Sequence, residues 1–175
     1  IELIGGHTIA IEGTKSRAHN SKKNNYNQKK IDRHLAYIEE KSTEYMNLLE
    51  QNDIQEDLIK VSDIQAKIER LKKNKIKYEV LQDKLESSGE PQISTTDPDA
   101  RALLVQGQVV EVCYNIQAAV DDKHKLVVAT HTINRNDRNA LSDIALEAKE
   151  NLQAETFTAI LDKGYHNGRE IQAVT

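Results

Sequence analysis

The chain has 175 residues, of which 30% are charged and only 4% aromatic, and its formal net charge is −4. That length allows one domain with a real core, or a small core with an appendage, and the composition suits long solvated helices better than a compact all-β protein. The negative balance excludes a global basic field as the ground for nucleic-acid binding. The single cysteine, Cys113, excludes an internal disulfide and a structural zinc site built on several thiolates. Flanked by Val112 and Tyr114 in an apolar run, it is expected to be a buried, inert thiol. No apolar stretch is long enough to span a membrane and no secretory signal opens the chain, so a reducing cytoplasm is expected. The chain has no initiating Met and stops at Thr175 soon after a helix would have started, and it reads as an internal piece of a longer protein.

Residues 1–25 are expected to hold a first core strand ending near Glu12, followed by a polar basic loop. Asn20, Ser21, Asn24 and Asn25 argue against an early helix there. From Lys15 to Arg33 the chain carries seven Lys or Arg against one acid, Asp32. Such a run is either a solvated loop or a phosphate-contacting arm.

Residues 26–90 read as a helical hairpin inserted after the first strand. Ile31, Leu35, Ile38, Ser42, Tyr45 and Leu49 recur at alternating spacings of four and three, the pattern of a heptad seam. A second run holds Val61, Ile64, Ile68, Leu71, Lys75, Tyr78, Leu81 and Leu85. Neither is long enough for a free-standing coiled coil. Two antiparallel helices, over 28–50 and 55–86, would satisfy both seams, with a turn over 51–56 between them. A purely structural hairpin is the plain interpretation of this stretch.

Residues 91–175 read as α/β. Gly89 and Pro91 stop the second helix, and Thr95-Thr96-Asp97-Pro98-Asp99-Ala100-Arg101 forms an ordered turn. Strands are expected over 109–120 and 126–133, joined by a hairpin turn at Asp121-Asp122-Lys123-His124, where the acids have a structural role. Asn136-Asp137 is expected to cap a helix with Leu141, Ile144, Ala145 and Ala148 on its inner face. A strand over 157–161 and a helix over 166–173 complete the order. With the insertion set aside, this is a mixed-sheet, ribonuclease-H-like order with one hairpin missing or merged. Its first and post-helix strands would lie side by side, bringing Glu12 and Asp162 together at strand carboxyl ends. A strand-end acid can equally be a turn former or a cap.

Four pieces in this order resemble a known family: Glu12-Gly13-Thr14-Lys15, Thr96-Asp97-Pro98-Asp99-Ala100-Arg101, Tyr114-Asn115-Ile116-Gln117-Ala118-Ala119-Val120-Asp121 and Asp162-Lys163-Gly164-Tyr165. Together with the helical stretch between the first two, they resemble bacterial insertion-sequence transposases with a DDE catalytic domain, over nearly the whole chain. The resemblance implies that Asp162 is the second catalytic acid and that Glu12 stands at the first, normally an Asp. The third acid, a Glu on a later helix, has no counterpart before Thr175, which implies a central fragment, inactive alone. The implied chemistry uses two Mg²⁺ ions, with Mn²⁺ as a substitute, held by Glu12 and Asp162 to cut and transfer a phosphodiester. Lys15, Arg17, Lys22, Lys23 and Lys163 would contact DNA phosphates without reading bases, and Arg135 and Arg138 rank below them. DNA is the implied partner, a homodimer the candidate assembly of a complete protein, and the bacterial nucleoid its place of action. A non-enzymatic helical interaction module and a nuclease of the same fold are the competing readings.

Overall fold

The apolar residues of the sequence sort onto two separate cores, and the chain accordingly forms two compact units, Ile1–Asn25 with Ser94–Thr175, and Tyr26–Ile93. The structure is a computed structural model that describes residues 3–19, 22–52, 58–105 and 107–175. It is a mixed α/β protein with a mixed sheet and, among the described residues, four helices.

The first unit is built on β1 (Thr8–Arg17), β4 (Arg101–Val105), β5 (Val109–Asp121), β6 (Val127–Ile133) and β7 (Thr158–Leu161). The sheet runs β4-β5-β1-β7, and β5 is long enough to pair β4 through Val109–Cys113 and also β6 through Asn115–Val120. β1 is antiparallel to β5, with Glu12 opposite Ala118 and Gly13 opposite Gln117. It is parallel to β7, from Thr8 with Thr158 to Ile11 with Leu161. The alternation of the strand decides which side chains are covered: Ile9 and Ile11 are buried, while Ala10 and Glu12 are exposed.

Helix α3 (Leu141–Leu152) lays Leu141, Ile144, Ala145 and Ala148 on this sheet, against Ile9, Ile11, Ala119, Ala129 and Ile133. Their spacing is the one-face spacing of an amphipathic helix, and each buried Ile or Leu contributes roughly 1.5–3 kcal/mol by leaving water. The N-cap of α3, Ala140, has no side chain to offer. Glu170 of α4 (Gly168–Val174) takes that role, accepting from both the amide and the hydroxyl of Ser142.

The second unit holds α1 (Gln28–Asn52) and α2 (Leu58–Ser88). His34 stacks on Tyr78, Lys67 lies over the ring of Tyr45, and Ile31 clusters with Leu81 and Leu85. Positions that rise along α1 meet positions that fall along α2, so the pair is antiparallel. Ile38, Ile64, Ile68 and Leu71 are buried along it. Gly89, at a φ of +65° that favours glycine, ends α2. Two-residue strands β2 (Asn25–Tyr26) and β3 (Ile93–Ser94) pair with each other.

Five expectations are corrected. The first strand does not stop near Glu12: β1 continues to Arg17 because Gly13 through Arg17 stay paired with β5. Where a hairpin is expected to be missing or merged, the sheet has an unexpected strand, β4, which begins at Arg101 and forms a hairpin with β5, and Gly107, at a φ of +67°, lies in the connection. Asp137 caps no helix through its side chain; it begins a short 3-10 turn, Asp137–Asn139, and its carboxylate points into the sheet unit. Lys75, placed in the seam by its spacing, is exposed, and its ammonium lies 3.9 Å from Glu79. The turn expected over 51–56 begins inside α1, which holds Gln51 and Asn52; residues 53–56 lie outside the described residues, as do Asn20 and Ser21.

Candidate functional site

Glu12 and Asp162 each stand one residue beyond the last registered pair of the parallel β1–β7 ladder, Ile11 with Leu161. Both are exposed. Asp162 follows the end of β7 and caps the 3-10 turn Lys163–Tyr165, its Oδ1 accepting from the Gly164 amide at 2.6 Å. A cleft of about 660 Å³ opens here, lined by Gly13, Thr14, Lys15, Asp137, Arg138 and Asp162 among others. Glu12 is not among its lining residues, although Thr14, on the same side of β1, is.

Under the cleft lies a set of polar side chains joined across the sheet. Asp137 Oδ2 accepts from Lys15 Nζ at 2.8 Å, and Oδ1 accepts from Asn115 Nδ2 at 2.8 Å and Gln117 Nε2 at 3.0 Å. Gln117 in turn accepts from the hydroxyl of Tyr165. Asn115, Gln117 and Tyr165 are fully buried. A buried amide costs free energy unless it is bonded; here both NH2 groups donate to one carboxylate, while Asn115 Oδ1 has no partner among the described residues. Gly13 makes the arrangement fit: a Cβ there would lie 2.3 Å from Asp137 Oδ1 and 2.5 Å from Gln117 Nε2.

The electrostatics follow from these contacts. Burial pushes the Asp137 carboxyl up, but the bonds from Lys15, Asn115 and Gln117 prevail and hold it below the usual carboxylate range. Burial first, then the charges of Asp137, Glu12 and Asp162, push the Tyr165 phenol far up, so it stays a neutral donor. Burial likewise raises the Cys113 thiol, which is fully buried.

The basic residues are spread differently. Lys15 is mostly buried and committed to Asp137. Arg17 lies on the exposed surface in a two-pronged pair with Glu111, which raises the guanidinium pKa and lowers that of the carboxyl. Lys22 and Lys23 begin a 3-10 turn, and Lys163 opens the turn after β7. Arg135 bonds Asn139 and Asp143, while Arg138 lines the cleft. Among the described residues no helix is long and apolar enough to cross a membrane, and no cluster of three or more His, Cys, Asp or Glu could hold a metal ion.

The residues that reading the sequence misses are Asn115, Gln117 and Asp137. One signal is present: Asn115 and Gln117 stand at period two within a run that is apolar from Val112 to Val120 apart from them and Tyr114, the mark of polar groups directed at a core. Comparison with known proteins finds no matching family model, no matching curated protein and no matching solved structure.

Proposed function

We propose that this chain is the core of a DDE transposase of bacterial insertion sequences, built for metal-dependent phosphodiester cleavage and strand transfer on DNA. The observation that carries the reading is the parallel β1–β7 pairing, which ends one residue before Glu12 and Asp162. The strand order β6-β5-β1-β7, antiparallel except for the last pair, with α3 between β6 and β7 in sequence, supports a ribonuclease-H-like core. The donor chemistry fits Mg²⁺ or Mn²⁺: two exposed carboxylates are hard oxygen ligands, and Mg²⁺ is usually held by one or two carboxylates with water completing its shell. When bound, the ion would activate a water or 3′-hydroxyl and neutralise charge at the leaving oxygen. Arg17, Lys22, Lys23 and Lys163 would contact phosphates; Lys15 serves Asp137 first. A helical interaction module is the second reading, favoured by the exposed Tyr37, Met46, Ile76 and Val80 of α1 and α2.

The test is uptake of Mn²⁺, followed by electron paramagnetic resonance, together with binding to a labelled duplex. Mn²⁺ uptake should disappear in both Glu12→Ala and Asp162→Ala. Duplex binding should be free of sequence preference and fall with salt by a log–log slope of roughly −0.9 per phosphate contact. A chain that takes up no Mn²⁺, or keeps it in both variants, is not this enzyme core.

A further inference from the structure

We propose that the polar chain Asp137–Gln117–Tyr165, packed against Gly13, is a positioning device that fixes the backbone beside Glu12 and beside Asp162 at once. The inference rests on the proposed cation site and names what would hold it. Gly13 follows Glu12 directly, and its bare Cα is the floor on which Asp137 Oδ1 and Gln117 Nε2 sit. Tyr165 closes the turn that Asp162 caps, and its hydroxyl is tied to Gln117 across the core. The Asp162 carboxylate is tied in turn to the Gly164 amide within the same turn. One set of hydrogen bonds therefore runs from Lys15 on β1 through Asp137 and Gln117 to the turn carrying the second acid, packed against the residue after the first.

Two exposed acids, one within β1 and one just past the end of β7, need such a link. Coordination distances of about 2.0–2.1 Å to Mg²⁺ leave little room for independent motion of the two backbones, and the partners that orient ligands are worth about 10–100-fold in affinity at metal sites. Lys15 completes the device by neutralising Asp137, which lets a carboxylate serve two amides in a partly buried place. None of these four side chains needs to touch the ion.

The experiment compares wild type with Tyr165→Phe and Gln117→Met, read in two ways. Tyr165→Phe keeps the ring and removes only the hydroxyl; Gln117→Met keeps the length and removes the relay. Amide hydrogen exchange reports on the turn itself. In each variant the amides of Gly164 and His166 should exchange about tenfold faster, while those of α3 stay as in wild type. Mn²⁺ affinity reports on the consequence and should fall about tenfold in each variant, with no further fall in the double variant because both cut one link. A purely structural role would lower the melting temperature yet leave Mn²⁺ affinity in the folded variants unchanged, and that result overturns the proposal. Unchanged exchange at Gly164 and His166 overturns it as well. If wild type takes up no Mn²⁺, the cation-site reading fails, and the exchange measurement still decides whether the network holds the turn.

Discussion

The two units of this protein are held by different kinds of information. In the helical unit the contacts follow a local rule: residues three and four apart along α1 meet residues three and four apart along α2. In the sheet unit the decisive polar contacts join residues far apart in the chain, Lys15 with Asp137, Gln117 with Tyr165, and Gly5 and Gly6 with Asp121. A seam of apolar side chains stabilises without specifying much, and tolerates exchange of one apolar residue for another. A buried polar network tolerates little, because each lost partner leaves another group unsatisfied. The chemistry proposed for this chain sits on the unit of the second kind.

The largest effects should come from the two apolar cores. Ile144 in α3 and Ile31 in α1 are both fully buried, so Ile144→Ala and Ile31→Ala should each cost about 2–5 kcal/mol. Amide exchange should show lost protection in the sheet unit for the first and in the helical pair for the second. Equal loss in both units from either change would mean that they unfold together.

Gly13→Ala sharpens the contrast, since it adds one methyl to a strand whose φ is ordinary. The added Cβ would meet Asp137, Gln117 and Asn115, two of these fully buried. Overpacking together with a broken buried bond should cost about 2–3 kcal/mol, measured by urea unfolding. An Ala tolerated with no loss would show that the network can shift, and would weaken its claim to position anything.

The acidic limb of stability separates the units again. Asp121 accepts from the Gly6, Gly5 and Lys123 amides, which hold its carboxyl below the usual range, and Asp137 is held below it by Lys15, Asn115 and Gln117 against the cost of burial. A carboxyl whose folded pKa is depressed contributes stability that is full above the unfolded value, about 3.9, and is lost as pH falls below it. The sheet unit should therefore loosen below about pH 4. Asp137→Asn should flatten that loss while lowering stability at neutral pH, followed by circular dichroism from pH 2 to 7. An unchanged acid limb in that variant would remove Asp137 from the account.

These differences explain what was legible. The helical pair could be read because its signal lies within seven residues, and so could α3, whose inner face of Leu141, Ile144, Ala145 and Ala148 is buried as its spacing requires. The reach of β1 could not. Gly13 and the polar residues after it look like a loop, and only pairing with β5 makes them a strand. Asn136-Asp137 before an apolar run is the local signature of a cap, whereas the partners of Asp137 lie as far as 20 and 122 positions away. The positions of Glu12 and Asp162 at two strands were legible from local pattern; the link between them was not, because it runs through Gln117 on a third strand.

The smallest effect tests the limits of that local rule. Spacing puts Lys75 in the seam of α2, between Leu71 and Tyr78, yet it is exposed, with Glu79 its only ion partner among the described residues. An exposed i, i+4 pair contributes only about 0.3–0.5 kcal/mol. A Leu at this position would remove that term and bury little new area, because the seam partner has not closed over it. Lys75→Leu should thus change unfolding free energy by less than about 0.5 kcal/mol, within the ordinary range of surface changes. A gain of more than about 1 kcal/mol, the scale of burying a methylene or two, would show that the seam does run through residue 75, and that Lys75 interrupts a contact the two helices would otherwise make.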